Sequence, residues 1–246
     1  MIVDIFIKTY YKDYIWLKYC LRSIQKFASG FRNIIIVSDT DNLIPDEYII
    51  PNCKIYYVPI PKITPSYVEH GIGYLWQQNI KLNWFDYTDA DAVLNLDSDC
   101  MFTTITTPAD FMTDGKFNWF YRDWKDAGGG ICWKQSTDFL LKIDTKYDSM
   151  LCHPFILQRN TSLSLKKYLC SIHNSDTIWN IFVKYNMKTA SEFNLFGSYI
   201  KYIDSNEYNQ IHNPVNQYHN RTIHVSWSWG GLKDEEIQLR EQLLSS

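Results

Sequence analysis

Ala92-Val93-Leu94-Asn95-Leu96-Asp97-Ser98-Asp99 is the stretch whose reading decides the fold. Its first five residues form a short apolar run suited to a buried strand. Cys100-Met101-Phe102 follow the acidic pair. Open α/β sheets bind ligands beyond the carboxyl ends of their strands, where Asp97 and Asp99 would then stand. Carboxylate oxygens are hard ligands for Mg²⁺ or Mn²⁺, and these ions complete their shells with phosphate oxygens and water. Asp-x-Asp also occurs in ordinary solvated turns, so the buried run before it is what gives the pair a functional reading. The pattern points to a site for a metal-chelated diphosphate, such as a nucleotide-sugar.

Upstream, strand and helix patterns alternate. Ile2 to Ile7 reads as a strand. Tyr14 to Phe27 carries Ile15, Leu17, Cys20, Leu21, Ile24 and Phe27 at helical spacing, and Ser29-Gly30 ends it. Ile34 to Val37 is a second strand closed by Ser38-Asp39, and Lys54 to Val58 a third closed by Pro59 and Pro61. Tyr74 to Phe85 is a second helix after Gly71-Ile72-Gly73. This alternation predicts an α/β fold, a mixed and mostly parallel Rossmann-type sheet flanked by helices. Downstream, Phe117 to Tyr121 reads as a strand, and Gly128-Gly129-Gly130 as a mobile or closely approached loop. Helices are predicted over Ser136 to Leu141, Asn160 to Cys170, Ser175 to Tyr185 with Ser175 or Asp176 as N-cap, and Ser191 to Tyr202. Lys233 to Leu244 reads as a charged, packed C-terminal helix.

The chain of 246 residues is 46% hydrophobic and 21% charged, with a net charge of −3. These values suit a packed globular protein and argue against a broad nucleic-acid-binding surface. The start, Met1-Ile2-Val3-Asp4, has no basic region and reads as a strand, not a signal peptide. No apolar run approaches the ~20 residues of a membrane span. A soluble, cytoplasmic protein is expected, peripheral to a membrane if its acceptor is lipid-linked. The richness in Ile, Asn, Lys and Tyr fits an AT-rich genome, and the host cytoplasm if that genome is viral. The six cysteines, Cys20, Cys53, Cys100, Cys132, Cys152 and Cys170, fit neither a disulfide framework nor a zinc site, and read as buried free thiols.

Five segments together resemble the GT-A class of nucleotide-sugar-dependent glycosyltransferases. They are Ile5-Phe6-Ile7-Lys8-Thr9-Tyr10 with Leu17-x-x-Cys20-Leu21-x-Ser23-Ile24; Ile36-Val37-Ser38-Asp39; Gly73-Tyr74-x-x-Gln77-Gln78-x-x-Lys81-Leu82; Val93 to Asp99; and Ser191-Glu192-Phe193-x-x-Phe196-Gly197. The third and fifth are also similar to a little-characterised group of bacterial and viral proteins with a GT-A-like domain. The resemblance, over about residues 1–230, implies a single glycosyltransferase domain spanning 1–246. Its nucleotide-sugar-binding half is 1–102, its acceptor-facing half 103–232 and its C-terminal helix 233–246. It implies a UDP-sugar donor, with GDP second, a Mn²⁺ or Mg²⁺ cofactor, and a glycan or other hydroxyl acceptor.

Within that resemblance Asp97 touches ribose or metal, Ser98 between the two acids belongs to the nucleotide-sugar-binding set, and Asp99 chelates the metal. Thr9 and Tyr10 face the nucleotide crevice, where Tyr10 stacks on a base or simply packs. Asp39 meets base or ribose, or caps a turn. Gln77 and Lys81, four apart, share a helix face, so Lys81 either neutralises diphosphate or is a solvated helix lysine. Glu192 is the leading catalytic base, with burial beside Phe193, Leu195 and Phe196 raising its pKa; the bland alternative is a helix first-turn Glu. Asp123, Asp126 and Asp138 compete for that role, and if none is essential a retaining mechanism gains ground. His224 is a further metal ligand or a structural hydrogen-bonder, with His212 and His219 as alternatives, and His153 contacts acceptor or packs. Among Trp119, Trp124, Trp133, Trp227 and Trp229, the two expected to contact ligand are Trp124 and Trp227.

Three rivals stand beside this reading. One keeps the chemistry but uses modified DNA bases as acceptor, which the acidic net charge disfavours. One is a nucleotidyltransferase, which would carry a glycine-rich phosphate loop after the first strand, whereas Lys8 to Asp13 has no Gly. The last is a non-catalytic glycan-binding module.

Overall fold

The computed structural model describes residues 1–39, 42–62, 71–151, 155–204, 207–212, 223–226, 228 and 231–245. In chain order the elements are β1 (Val3–Thr9), α1 (Tyr14–Phe27), β2 (Ile34–Ser38), β3 (Cys53–Tyr57), α2 (Ile72–Leu82), β4 (Ala92–Asp97), β5 (Cys100–Phe102), β6 (Met112–Thr113) and β7 (Lys116–Asp123). There follow α3 (Cys132–Leu141), β8 (Tyr147–Asp148), β9 (Phe155–Gln158), α4 (Arg159–His173), α5 (Ile178–Lys184), α6 (Glu192–Tyr202), β10 (Tyr208–His212), β11 (Ile223–Val225) and α7 (Asp234–Ser245).

The main sheet has the order β3-β2-β1-β4-β9. Its first four strands are parallel and β9 runs antiparallel to β4. This is the mixed, mostly parallel α/β architecture expected from the alternation, a Rossmann-like arrangement flanked by helices. The reason is visible in the burial. Every residue of β1 and β2 is buried, as required of strands covered on both faces. Helix α1 buries Leu17, Cys20, Leu21 and Ile24, which recur at helical spacing.

Two features depart from the sequence reading. Helix α5 starts later than expected, and its N-cap is Thr177, whose hydroxyl accepts the Asn180 N–H at 3.0 Å, not Ser175 or Asp176. Strands β5, β9 and β11 are only three or four residues long, too short for periodicity to give a signal. Strand β5 pairs with β11, tying the segment just after Asp99 to the C-terminal region, with Cys100 opposite Val225 and Met101 opposite His224.

The thiols divide. Cys20 and Cys100 are buried, Cys53 and Cys170 are half-buried, and Cys132 is exposed at the start of α3, against the expectation of burial. Among the described residues no helix is long and apolar enough to cross a membrane.

Candidate functional site

Strand β1 ends at Thr9, β2 at Ser38 and β4 at Asp97, all at one edge of the sheet. In register, Thr9 lies opposite Ser38, and Lys8 lies between Val37 and Asp97. Parallel strands ending together leave a crevice at that edge. It is a cleft of about 480 Å³, lined by Lys8, Thr9, Tyr10, Asp13, Asp39, Gly73, Tyr74, Gln77, Gln78, Lys81, Asp97, Ser98, Asp99, Met150, Ser191, Glu192, Phe193 and Ser228. Thr9, Tyr10, Asp39, Gln77, Lys81, Asp97, Ser98, Asp99 and Glu192 are thus brought to one place from five parts of the chain.

At its centre is Lys81. The solvated-lysine alternative falls, because the side chain is 1% exposed and its Nζ donates to Asp97 Oδ1 at 2.5 Å and to Glu192 Oε1 at 2.7 Å. The lysine thereby joins the end of β4 to the start of α6. Burial acts to lower its pKa, but Asp97 and then Glu192 outweigh burial and hold it charged. Glu192 is fixed from a second side, where its backbone N–H donates to Gln78 Oε1 at 2.8 Å. Ser191 caps the helix by accepting the Asn194 N–H, and Asn194 Oδ1 accepts the Ser149 N–H at 2.7 Å. Gly197 lets α6 lie this close: a Cβ there would stand 2.1 Å from Ser149 Oγ and 2.4 Å from Trp119 Nε1. Burial raises the Glu192 pKa against the pull of Lys81.

A second lysine, Lys8, is also buried. Its Nζ pairs with Asp39 at 3.1 Å and donates to the Thr9 carbonyl at 2.8 Å. Burial lowers its pKa and Asp39 opposes the shift. Asp39 is therefore a counterion within the cleft, not a mere turn cap. Thr9, 2% exposed, has a buried hydroxyl with no hydrogen-bond partner among the described residues.

Two lysines thus face five carboxylates: Asp13, Asp39, Asp97, Asp99 and Glu192. Asp13 and Asp99 form no ion pair with a Lys, Arg or His among the described residues. Asp99 Oδ2 accepts the Ser228 N–H at 3.0 Å, and the Ser228 hydroxyl lies 3.5 Å from Asp13 Oδ2. Burial, and then the charge of Asp99, pushes the Asp13 carboxyl up to about 7. Burial, and then Asp97, pushes Asp99 up to about 6. An uncompensated acidic edge of this kind suits a divalent cation. Among the described residues no three His, Cys, Asp or Glu side chains form a ready-made cluster for a metal. A Mg²⁺ or Mn²⁺ ion held here by one or two carboxylates would have to complete its shell with ligand oxygens and water.

Other candidates lie elsewhere. Asp123, at the end of β7, is not among the described cleft-lining residues, and its carboxylate lies 3.6 Å from His212 and 3.9 Å from Lys125. Asp138 is engaged by Lys134 at 2.5 Å and by Thr145, and neither it nor Asp126 is among the described lining. His224 Nε2 meets Glu236 Oε1 at 2.9 Å and Ser226 Oγ at 3.0 Å, and His224 is not among the described lining. Trp124 is core: it is 6% exposed, and its Nε1 donates to Thr145 Oγ1 at 3.0 Å. Trp119 is likewise buried, whereas Trp133 donates to the cleft residue Tyr74 at 3.0 Å. Cys152, His153, His219, Trp227 and Trp229 lie outside the described residues.

A family model matches residues 4–238. The chain belongs to that family, described as a family of unknown function (DUF6492). No curated protein matches it. Every described residue that lines the cleft falls within the matched segment.

Sequence reasoning missed Asp13, Gln78 and Ser228, and assigned Lys8 no role. Asp13 had a signal, since it sits in the connection from the first strand to the first helix, where ligands meet such sheets. Gln78 stood in the Gly73 to Leu82 segment without a role and Ser228 had no signal, because their partners Glu192 and Asp99 are 114 and 129 positions away.

Proposed function

We propose that this protein is a metal-dependent glycosyltransferase of the GT-A type, moving a sugar from a nucleoside-diphosphate sugar, UDP-linked in the first instance, to a hydroxyl acceptor on a glycan. The observation that carries the reading is the meeting of Asp97 and Asp99 with Thr9, Tyr10, Asp39, Lys81 and Glu192 in one cleft at the carboxyl ends of β1, β2 and β4. When bound, Mn²⁺ or Mg²⁺ would supply charge neutralisation for the departing diphosphate.

The chain's own residues divide the remaining work. Asp97 and Asp99 present the carboxylates that would hold the cation. The exposed face of Tyr10 is available to a base or ribose, and Thr9 lines the cleft beside it. Lys81 holds the carboxyl groups of Asp97 and Glu192 at fixed positions. In an inverting transfer the acceptor oxygen bonds to the anomeric carbon. The anomeric carbon–oxygen bond to the diphosphate breaks with its electron pair leaving on phosphate. The acceptor proton passes to a base, for which Glu192 is the buried carboxylate at hand.

Thermal melting with UDP, GDP, CMP and dTDP, each with and without Mn²⁺, tests the donor class. A ligand at one hundred times its Kd adds about 2.7 kcal/mol of stability. Manganese-dependent stabilisation by one diphosphate is expected, and no shift with any of the four would sink the proposal. Glu192→Gln should keep that stabilisation and lose transfer. An unchanged transfer rate removes Glu192 as the base.

A further inference from the structure

Helix α7 docks in an unusual way. Its apolar residues include Ile237, Leu239, Leu243 and Leu244, yet its one buried residue is Arg240, with no exposed area. A helix that merely capped the fold would bury its leucines and leave its arginine in water. Leu239 is instead 38% exposed.

The buried guanidinium has specific partners. Its Nε donates to Glu236 Oε1 at 2.7 Å, and an Nη donates to the backbone carbonyl of Asp99 at 2.8 Å. Its Cζ lies 4.5 Å from the centroid of the Trp16 ring of α1. The Asp99 turn is held from the same side by α1, where Cys20 Sγ points at the Asp97 carbonyl and Ser23 Oγ accepts the Phe102 N–H at 3.0 Å. The C-terminal segment reaches Asp99 twice more. Ser228 donates its N–H to the Asp99 carboxylate, and β11 pairs with β5 immediately after the turn. Glu236 in turn collects Arg240, His224 and Ser226, so a single carboxylate ties α7 to β11.

We infer that the C-terminal segment is a positioning element for the Asp97–Asp99 site, with Arg240 fixing the backbone and Ser228 the carboxylate of Asp99 at the angle a divalent cation requires. Arg240 touches neither cation nor substrate and acts through Asp99. It lies just past the segment that the family model matches. The inference rests on the metal-dependent reading given above.

The test is Mn²⁺ binding to the whole chain without any sugar, followed by electron paramagnetic resonance of free Mn²⁺ and by water-proton relaxation of the bound ion. Arg240→Met keeps length and removes the donors. Expected are an affinity at least tenfold weaker and a higher relaxivity per bound ion, as water replaces an Asp99 oxygen. Arg240→Lys, which retains charge and one hydrogen bond, should recover part of both. A purely structural role would lower the melting temperature but leave the relaxivity of the bound ion alone. Should Arg240→Met fail to fold because Glu236 is left without its cation, Arg240→Met/Glu236→Gln removes both charges and gives the same readout. Wild-type affinity and relaxivity in these variants would overturn the inference while leaving the metal site standing. No Mn²⁺ binding by the wild type, with or without UDP, would overturn both.

Discussion

Strand β1 carries a buried carboxylate near its start, and β4 ends in a half-buried one beside a buried lysine, but the two edges of the sheet treat charge differently. At the amino edge Asp4 is fully buried and fully satisfied. Arg32 donates from Nε to Oδ1 at 3.0 Å and from Nη2 to Oδ2 at 2.8 Å, the Asn33 N–H adds 3.0 Å to Oδ1, and Thr88 completes the set. At the carboxyl edge five acids face two lysines, Asp13 and Asp99 stay without a cation among the described residues, and the Thr9 hydroxyl has no partner. A bidentate arginine–carboxylate pair closes its own valence and leaves nothing for a ligand. The carboxyl edge leaves negative charge and a polar group unmet, a cost to stability that a fold retains where something binds.

Lys81 is the sharpest point at which to break this contrast. Lys81→Met strands Glu192 in the interior without a counterion, and losing one partner of a buried pair costs about 3–5 kcal/mol. The variant should melt far below wild type and lose nucleotide binding. Lys81→Met/Glu192→Gln should recover most of the melting temperature and none of the binding. Full recovery of both would mean that the lysine serves packing alone.

Two further changes set the edges directly against each other. Asp99→Ala should abolish manganese-dependent stabilisation by nucleotide. Removing one like charge should leave the metal-free melting temperature unchanged or raised. Asp4→Asn should do the reverse, costing about 2 kcal/mol through weakened charged hydrogen bonds while nucleotide stabilisation persists. For a chain of this size that loss lowers the melting temperature by roughly 4–8 °C. If Asp99→Ala destabilises as much as Asp4→Asn, the carboxyl edge is a structural network like its counterpart.

The same contrast explains what was legible in the sequence. Strands β1, β2 and β4 announced themselves because burial on both faces writes continuous apolar runs, and Asp39, Asp97 and Asp99 stood out because polar residues close those runs. Helices α1 and α6 were legible from their spacing. What joins them was not. Lys81 could be read as turned toward the Asp97 site, but its buried pairing was not legible, since its partners come from β4 and from 111 positions downstream. Trp124 looked like a sugar platform because aromatic content says nothing about which ring turns inward. The β5–β11 pairing, three residues a side, is too short for periodicity to register, yet it brings the C-terminal segment to the metal-site candidate.

His224 offers the smallest and most discriminating effect. Read from sequence, it could complete a metal shell, as a histidine near the C-terminus does in the resembling class. Its Nε2 instead meets Glu236 and Ser226, on the carboxylate that also holds Arg240. Removing one of the three donors on Glu236 should cost about 1 kcal/mol of stability. His224→Ala should therefore melt slightly early and bind Mn²⁺ with nearly wild-type affinity, because Arg240 still holds Glu236 and the Asp99 carbonyl. Direct ligation predicts a different balance, with a metal affinity loss of about tenfold or more and little change in the metal-free melting temperature. Titration with Mn²⁺ beside a thermal melt separates the two. A large affinity loss without destabilisation would mean that Nε2 leaves Glu236 for the cation, and that the C-terminal segment meets the metal through His224 as well as through Asp99.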